Sequence, residues 1–348
     1  MCNPISWWYV RSNGVGKVFI SDKTDSHSEA AAEFGIKDDG LGEVCAGEFR
    51  PDYKSPSPNT STWKLVWDYL GRTRRPAWMD DEAEASLRAA LERECSKYVY
   101  TTGRHEVTSC RAFAFREVML VVRGACDVAA YGSSHVVALG SNHVVAHDTS
   151  SVEACGSSHV EARGSSRVDA YGSSQVVARE SSHVNAWRCS RVESRDNSKV
   201  DAYESSHIVA YGSSQVVARG FSNVEARESS RVVARDTSSI DAWGTSHVVA
   251  RGSSRVAAWE SSHVVAHGST HVIAHGSSHV EAQGANHVVA WDTSRVEVKS
   301  EYADVVGRGA HDGNGHPILR TPIKAGCTYT IKYDALVAET SNTEGDAP

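Results

Sequence analysis

The chain has 348 residues and a formal net charge of −7 with a pI near 6.2, a balance that argues against a purely electrostatic nucleic-acid binder. No run approaches the ~18 apolar residues of a membrane span, and Met1 to Trp8 lacks the basic and apolar regions of a signal peptide. The 8 cysteines are scattered with no CxxC pair, which predicts reduced thiols and a cytoplasmic location.

Residues 1–111 predict a small α+β domain. Ser6 to Val10 and Gly16 to Ile20 read as strands around an Asn13-Gly14 turn. A short helix starts at Asp25 to Glu29 and runs to Phe34, with Gly35 as its stop. Glu43 to Phe49 and Thr62 to Tyr69 read as strands on either side of the Pro- and Ser-rich loop Pro51 to Asn59. Glu82 to Lys97 is an amphipathic helix with Leu87, Ala90, Leu91 and Glu94 at helical spacing.

Three groups in this domain have residue types that can carry chemistry. Cys2 could act as an N-terminal nucleophile after removal of Met1. Asp25-Ser26-His27 holds triad residue types, but helix capping by Asp25 or Ser26 is the simpler account of them. Arg72, Arg74 and Arg75 beside Trp63, Trp67, Tyr69 and Trp78 offer charge and stacking for a phosphate or nucleic acid, against the commoner solvated turn beside an aromatic core.

From residue 112 to 300 the chain is one octapeptide array. Every eighth residue from Val128 to Val296 is Val, except Ile208 and Ile240; two positions later stands Ala, broken by Ser194 and by Val298 in the last octad. A Gly, Asp or Glu position comes next, then a Ser/Thr pair, as in Val168-Asp169-Ala170-Tyr171-Gly172-Ser173-Ser174-Gln175. Leu120 and Val122 fit one unit earlier, so the array is predicted to start there and to hold 23 units. Successive side chains of a strand point to opposite faces, which puts Val, Ala and the second Ser inside and His, Arg, Glu, Asp, Tyr and Trp outside. The Gly, Asp, Asn and Ser positions are turn formers, so each octad is a strand and a corner. The mechanical job predicted for the N-terminal domain is to cover the first coil of this array, because an open sheet edge invites association.

Two octads per coil would stack residues 16 apart, and that spacing lines up like with like. It gives Tyr171, Trp187, Tyr203; Arg163, Arg179, Arg195; Arg219, Arg235, Arg251; Trp243, Trp259; and, one position after the core Val, Val217, Val233, Val249, Val265. The predicted class is therefore mainly β, a parallel β-solenoid of two octads per coil with a small α+β N-terminal domain. Of 17 histidines, 13 lie in the array and 10 of them directly precede the core Val or Ile. His247, His263 and His279 then stack on one face, and His271 and His287 on the other. No Cys or carboxylate is predicted to complete a metal set around them, so no metal or cofactor is expected.

The array resembles the repeats of bacterial ice nucleation proteins. Tyr171-Gly172-Ser173-Ser174-Gln175-Val176-Val177-Ala178-Arg179-Glu180-Ser181-Ser182 is similar to that family's sixteen-residue unit in its Tyr-Gly-Ser opening, its Gln and its later Ser-Ser. The resemblance covers about half the chain and implies a β-solenoid with two octads per coil, and ice binding or nucleation as an activity. The family's outward Thr-x-Thr pairs fall where this chain has Ser-x-Val, such as Ser174-Gln175-Val176.

Residues 301–348 lose the period. His311 to His316 is Gly-rich, Thr321 to Tyr333 reads as two short strands around Ala325-Gly326, and Ser341 to Pro348 reads as disordered, together a C-terminal cap and tail. The function expected from the whole sequence is non-enzymatic: a rod whose ladders serve self-association or a protein or glycan partner. Nucleic acid and membrane are not expected partners. The residues that would carry it are Tyr171, Trp187, Tyr203, Arg219, Arg235, Arg251, Trp243 and Trp259. Ice binding is the first alternative, and an enzyme in the N-terminal domain is the second.

Overall fold

A computed structural model of the protein describes residues 5–12, 15–21, 26–37, 43–52, 55–68, 73–108, 111–307, 327–332 and 335–339. Cys2, the Asn13-Gly14 turn, Asp25, Tyr69, Arg72, the stretch His311 to His316, Ala325-Gly326 and the tail from Ser341 lie outside the described residues. The chain forms two compact units, Met1–Val160 and Glu161–Pro348.

In the first unit, β1 (Ile5–Ser12), β2 (Val15–Phe19), β3 (Glu43–Arg50) and β4 (Lys64–Trp67) form an antiparallel sheet in the order β2-β1-β3-β4. Helix α1 (His27–Phe34) starts at Ser26, whose hydroxyl accepts from the Glu29 N–H, and ends at Gly35 with φ +64°. Helix α2 (Asp81–Cys95) is capped by the Asp80 carboxylate and buries Ala83, Leu87, Leu91 and Cys95 on one stripe.

The first unit also holds the start of the solenoid, earlier than the octad count predicts. Val99–Tyr100 and Arg104–Val107 already pair in parallel with Arg111–Ala114 and Met119–Gly124. Val99 pairs with Phe113 and His105 with Leu120. Both offsets fall short of the sixteen residues that separate later coils, so a search at fixed period passes over the first coil.

The small domain packs on the outward side of the early coils. Phe113, Ala129 and Val145 occupy one outward position in three successive coils, yet all are buried. With Phe115 and Tyr131 they join one core containing Ile5, Trp7, Phe49, Trp63, Leu87 and Leu91. The burial of these outward residues in that core puts the domain along the side of these coils. Trp63 ties the two together, its ring 5.6 Å from Phe49 and 4.8 Å from Phe113.

The second unit repeats a strand of four residues, six at His263–Gly268 and His279–Gly284, every eight residues from Arg167–Ala170 to Arg295–Val298. Alternate strands pair in parallel at an offset of 16, as Val200 with Val216 on one sheet and Val192 with Ile208 on the other. We call the sheet containing Gln215–Ala218 face A and the one containing His207–Ala210 face B. The core Val and Ile residues and the Ala residues are at most 2% exposed, and the second Ser of each corner is equally buried. Ser174, Ser206 and Ser294 each donate to the carbonyl three residues earlier at 2.6–2.7 Å, which satisfies the buried hydroxyl and closes the corner. Beyond Val298, Asp304–Gly307 adds one more parallel strand to face B with Asp304 opposite His287, a register lengthened by one residue. On face A, Cys327–Lys332 pairs antiparallel with Arg295–Val298, and Ala335–Glu339 antiparallel with it.

At many corners the residue after the outward aromatic or Arg has positive φ, between +56° and +60° at Glu180, Arg188, Asp196, Glu204, Glu228, Asp236 and Glu260. A non-glycine residue there costs roughly 1–2 kcal/mol. A carboxylate at that position offsets the cost by reaching back one coil. Glu228 accepts from the Gly212 N–H at 2.7 Å, Asp236 from Gly220 at 3.0 Å and Glu260 from Gly244 at 2.9 Å. These acids cap an N–H one coil back, a glycine's in the three cases above and that of Glu180 in the case of Asp196.

Candidate functional site

Three outward positions per strand make columns, and side-chain chemistry decides what each column does. At the position after Ala, face A carries Tyr171, Trp187, Tyr203, Arg219, Arg235 and Arg251 in sequence order at 16-residue intervals. The expected aromatic ladder and arginine ladder are thus one column. Tyr171 and Trp187 stack at 6.4 Å, and Trp187 and Tyr203 at 4.0 Å. Arg219 lies over the Tyr203 ring at 5.0 Å and donates to its hydroxyl at 2.8 Å. Trp243 and Trp259 belong to face B, stacked at 4.9 Å and followed by His275 at 4.1 Å. The structure therefore does not bring this pair together with the other six residues.

The same repeat position behaves differently on the two faces, and the residue two places earlier is the cause. On face B that residue is often Glu, and it neutralises its arginine. Glu161 accepts from Arg163 at 2.7 Å and reaches Arg179 at 3.3 Å, while Glu225 pairs with Arg227 at 2.9 Å. On face A the residues before Arg219, Arg235 and Arg251 are Val217, Val233 and Val249, in register with one another and with Val265. The remaining outward column of these coils is Gln215, Arg231, His247 and His263.

Face A from Gln215 to His267 thus has four arginines, three histidines and four half-buried valines, and no acid on its strands. None of the four arginines is in an ion pair among the described residues. The corner acids Glu228, Asp236 and Glu260 accept from the glycine N–H groups described above. Burial, then the neighbouring His263 and Arg231, holds His247 below the ordinary histidine value of 6.5. His247 therefore adds little to the charge of the arginines at neutral pH.

The histidine ladders stand where the spacing puts them. His263 and His279 stack at 4.9 Å on face A, with His247 also 4.9 Å from His263, and His271 and His287 stack at 4.9 Å on face B. The expectation that no carboxylate completes a metal set does not hold. Glu281 and Glu297 flank His279, the three donor atoms lying within 4.8 Å of one another. Two spacings place them together, two residues along a strand and sixteen to the next coil, and neither alone marks the cluster.

Of the candidate groups in the first unit, the described Arg and Trp residues other than Trp63 meet at one cleft, while Ser26 and His27 serve the helix start and the sheet. Ser26 caps its helix, and the His27 ring faces the Gly47 carbonyl at 3.0 Å. Arg75 is engaged by Asp81 at 2.6 Å and Glu84 at 2.9 Å. Trp67, Arg74 and Trp78 line a cleft of about 420 Å³ with Cys45, whose thiol burial pushes up to about 12 and so keeps un-ionised. Trp63 lies in the core instead. No helix among the described residues is long and apolar enough to cross a membrane. No disulfide joins the described cysteines.

No protein-family model matches the chain, and no curated protein or solved structure matches it.

Proposed function

We propose that the protein is a non-enzymatic interaction module whose face A, between Gln215 and His267, docks an extended polyanion of the acidic-polysaccharide class. The observation that supports this reading is an arginine column without ion pairs beside a valine column, on strands without acids. Planar guanidinium groups on successive coils, about 4.8 Å apart, suit bidentate pairing with a row of carboxylates or sulfates. The strands of the patch carry no Trp, Tyr or Phe on which bases would stack, which favours an acidic glycan over single-stranded nucleic acid. Affinity electrophoresis in a linear polyuronate tests it. The parent should be retarded, and the triple variant Arg219→Ser, Arg235→Ser, Arg251→Ser should bind at least about tenfold more weakly. An unretarded parent, equal binding by the triple variant, or stronger retardation by single-stranded DNA would each count against the reading.

Self-association is a second reading, favoured by the stacked rings at the start of the same column, where Tyr171 is exposed. Changing Tyr171, Trp187 and Tyr203 to Ser touches no core position, so circular dichroism should be unchanged. Light scattering should then show a smaller species than the parent. An unchanged mass would reduce the rings to covers for neighbouring side chains. Ice binding draws on the repeat resemblance alone: Ser174 and Val176, at the place of the family's threonine pairs, are buried. A droplet-freezing assay separates that alternative. An enzyme in the first unit has no catalytic set among the described residues behind it.

A further inference from the structure

One coil beyond the arginine patch, the chemistry of face A changes. His263 and His279 stack with their rings 6° from parallel, and the Nε2 atom of each is shut off from water without a well-formed hydrogen bond. Each faces a carboxylate on the next coil: His263 Nε2 lies 3.3 Å from Glu281 and His279 Nε2 3.9 Å from Glu297. Glu281 and Glu297 are themselves in register on adjacent strands. A buried ring nitrogen aimed at a carboxylate is satisfied by a proton or by a metal ion. A neutral imidazole is the form that ligates a metal ion.

The carboxylates already hold a cation. Lys299 lies 3.0 Å from Glu281 and 3.4 Å from Glu297, at the exposed edge of the cluster. A flexible ammonium is a monovalent occupant of a site with two negative charges and a neutral nitrogen donor. We infer that His279, Glu281 and Glu297 form a binding site for a divalent transition-metal ion of the zinc class, with Lys299 as the side chain the ion displaces. Strand spacing alone holds parallel histidines too far apart for a shared ion. The glutamates remove that objection, because their side chains bend across the coil step. Closing three atoms already within 4.8 Å of one another onto an ion with bonds of about 2.0–2.2 Å moves glutamate rotamers and leaves the strands in place. Mixed nitrogen and oxygen donors suit zinc better than calcium or magnesium, which prefer all-oxygen sets.

Calorimetric titration of the full chain with zinc chloride, with cobalt(II) absorption to report coordination, tests the site. The parent should bind one ion that Glu297→Gln weakens by at least about tenfold. Lys299→Ala should bind more tightly than the parent, because it frees both carboxylates. That gain is specific to the displacement account and would not arise from a loss of fold. A parent that binds no zinc overturns the inference. So does a Glu297→Gln variant that binds like the parent, which would place the ion on other histidines, or a Lys299→Ala variant that binds no more tightly.

Discussion

Replacing Val216 by Asp is expected to destabilise the solenoid by more than about 3 kcal/mol, whereas Val217→Asp, one residue away, should cost less than about 1 kcal/mol. Val216 is 1% exposed and is stacked between Val200 and Val232 in the core. A carboxylate there has no cation to meet, so it must either stay charged in an apolar row or take up a proton at a cost. Val217 faces outward in the column that runs from Asp201 to Val233. Its replacement adds a like charge opposite Asp201 but places an arginine, Arg219, within reach. Urea unfolding of both variants measures the difference. Equal losses would mean that the inside and outside of the strands are assigned wrongly.

Trp63→Ala is expected to cost the first unit about 3–5 kcal/mol. The ring is 1% exposed, lies between Phe49 and Phe113, and donates its N–H to the Ser57 carbonyl at 2.9 Å. Its loss leaves a cavity where the small domain meets the outward side of the solenoid coils. The helix Asp81–Cys95 should then become accessible to limited proteolysis, since Leu87 and Leu91 share that core. A midpoint shift worth less than about 1 kcal/mol would show that the contact contributes little.

The octad array was readable because a period of two along each strand and sixteen between coils leaves little room for another fold. Val216, Ala218 and Ser214 are buried as alternation requires, and the ladders from Tyr171 to Arg251 stack as the sixteen-residue spacing requires. The features that the spacing hides belong to residues that leave the period. Val99–Tyr100 and Arg104–Val107 are part of the solenoid but stand at shortened offsets. The side-on docking of the small domain is written in Phe113, Ala129 and Val145, apolar residues at an outward position, but reading it needs the partner surface. The patch on face A is half visible in the sequence as an arginine and valine stripe. Its lack of acids emerges from comparing that stripe with face B, where Glu161 and Glu225 neutralise the corresponding arginines. Likewise the ligand set at His279 needs two spacings taken together, one along the strand and one across the coils.

The salt dependence of polyuronate binding tests the functional account most directly. Each arginine that pairs with the polymer releases about one counterion, so the logarithm of the binding constant should fall linearly with the logarithm of salt concentration. The slope for Arg235→Ser should be shallower than the parent's by about one unit, and the effect of Arg227→Ser should be smaller, because Glu225 already neutralises that residue on face B. Binding that is insensitive to salt, or a slope that changes equally with Arg227→Ser and Arg235→Ser, would contradict the assignment of face A as the docking surface.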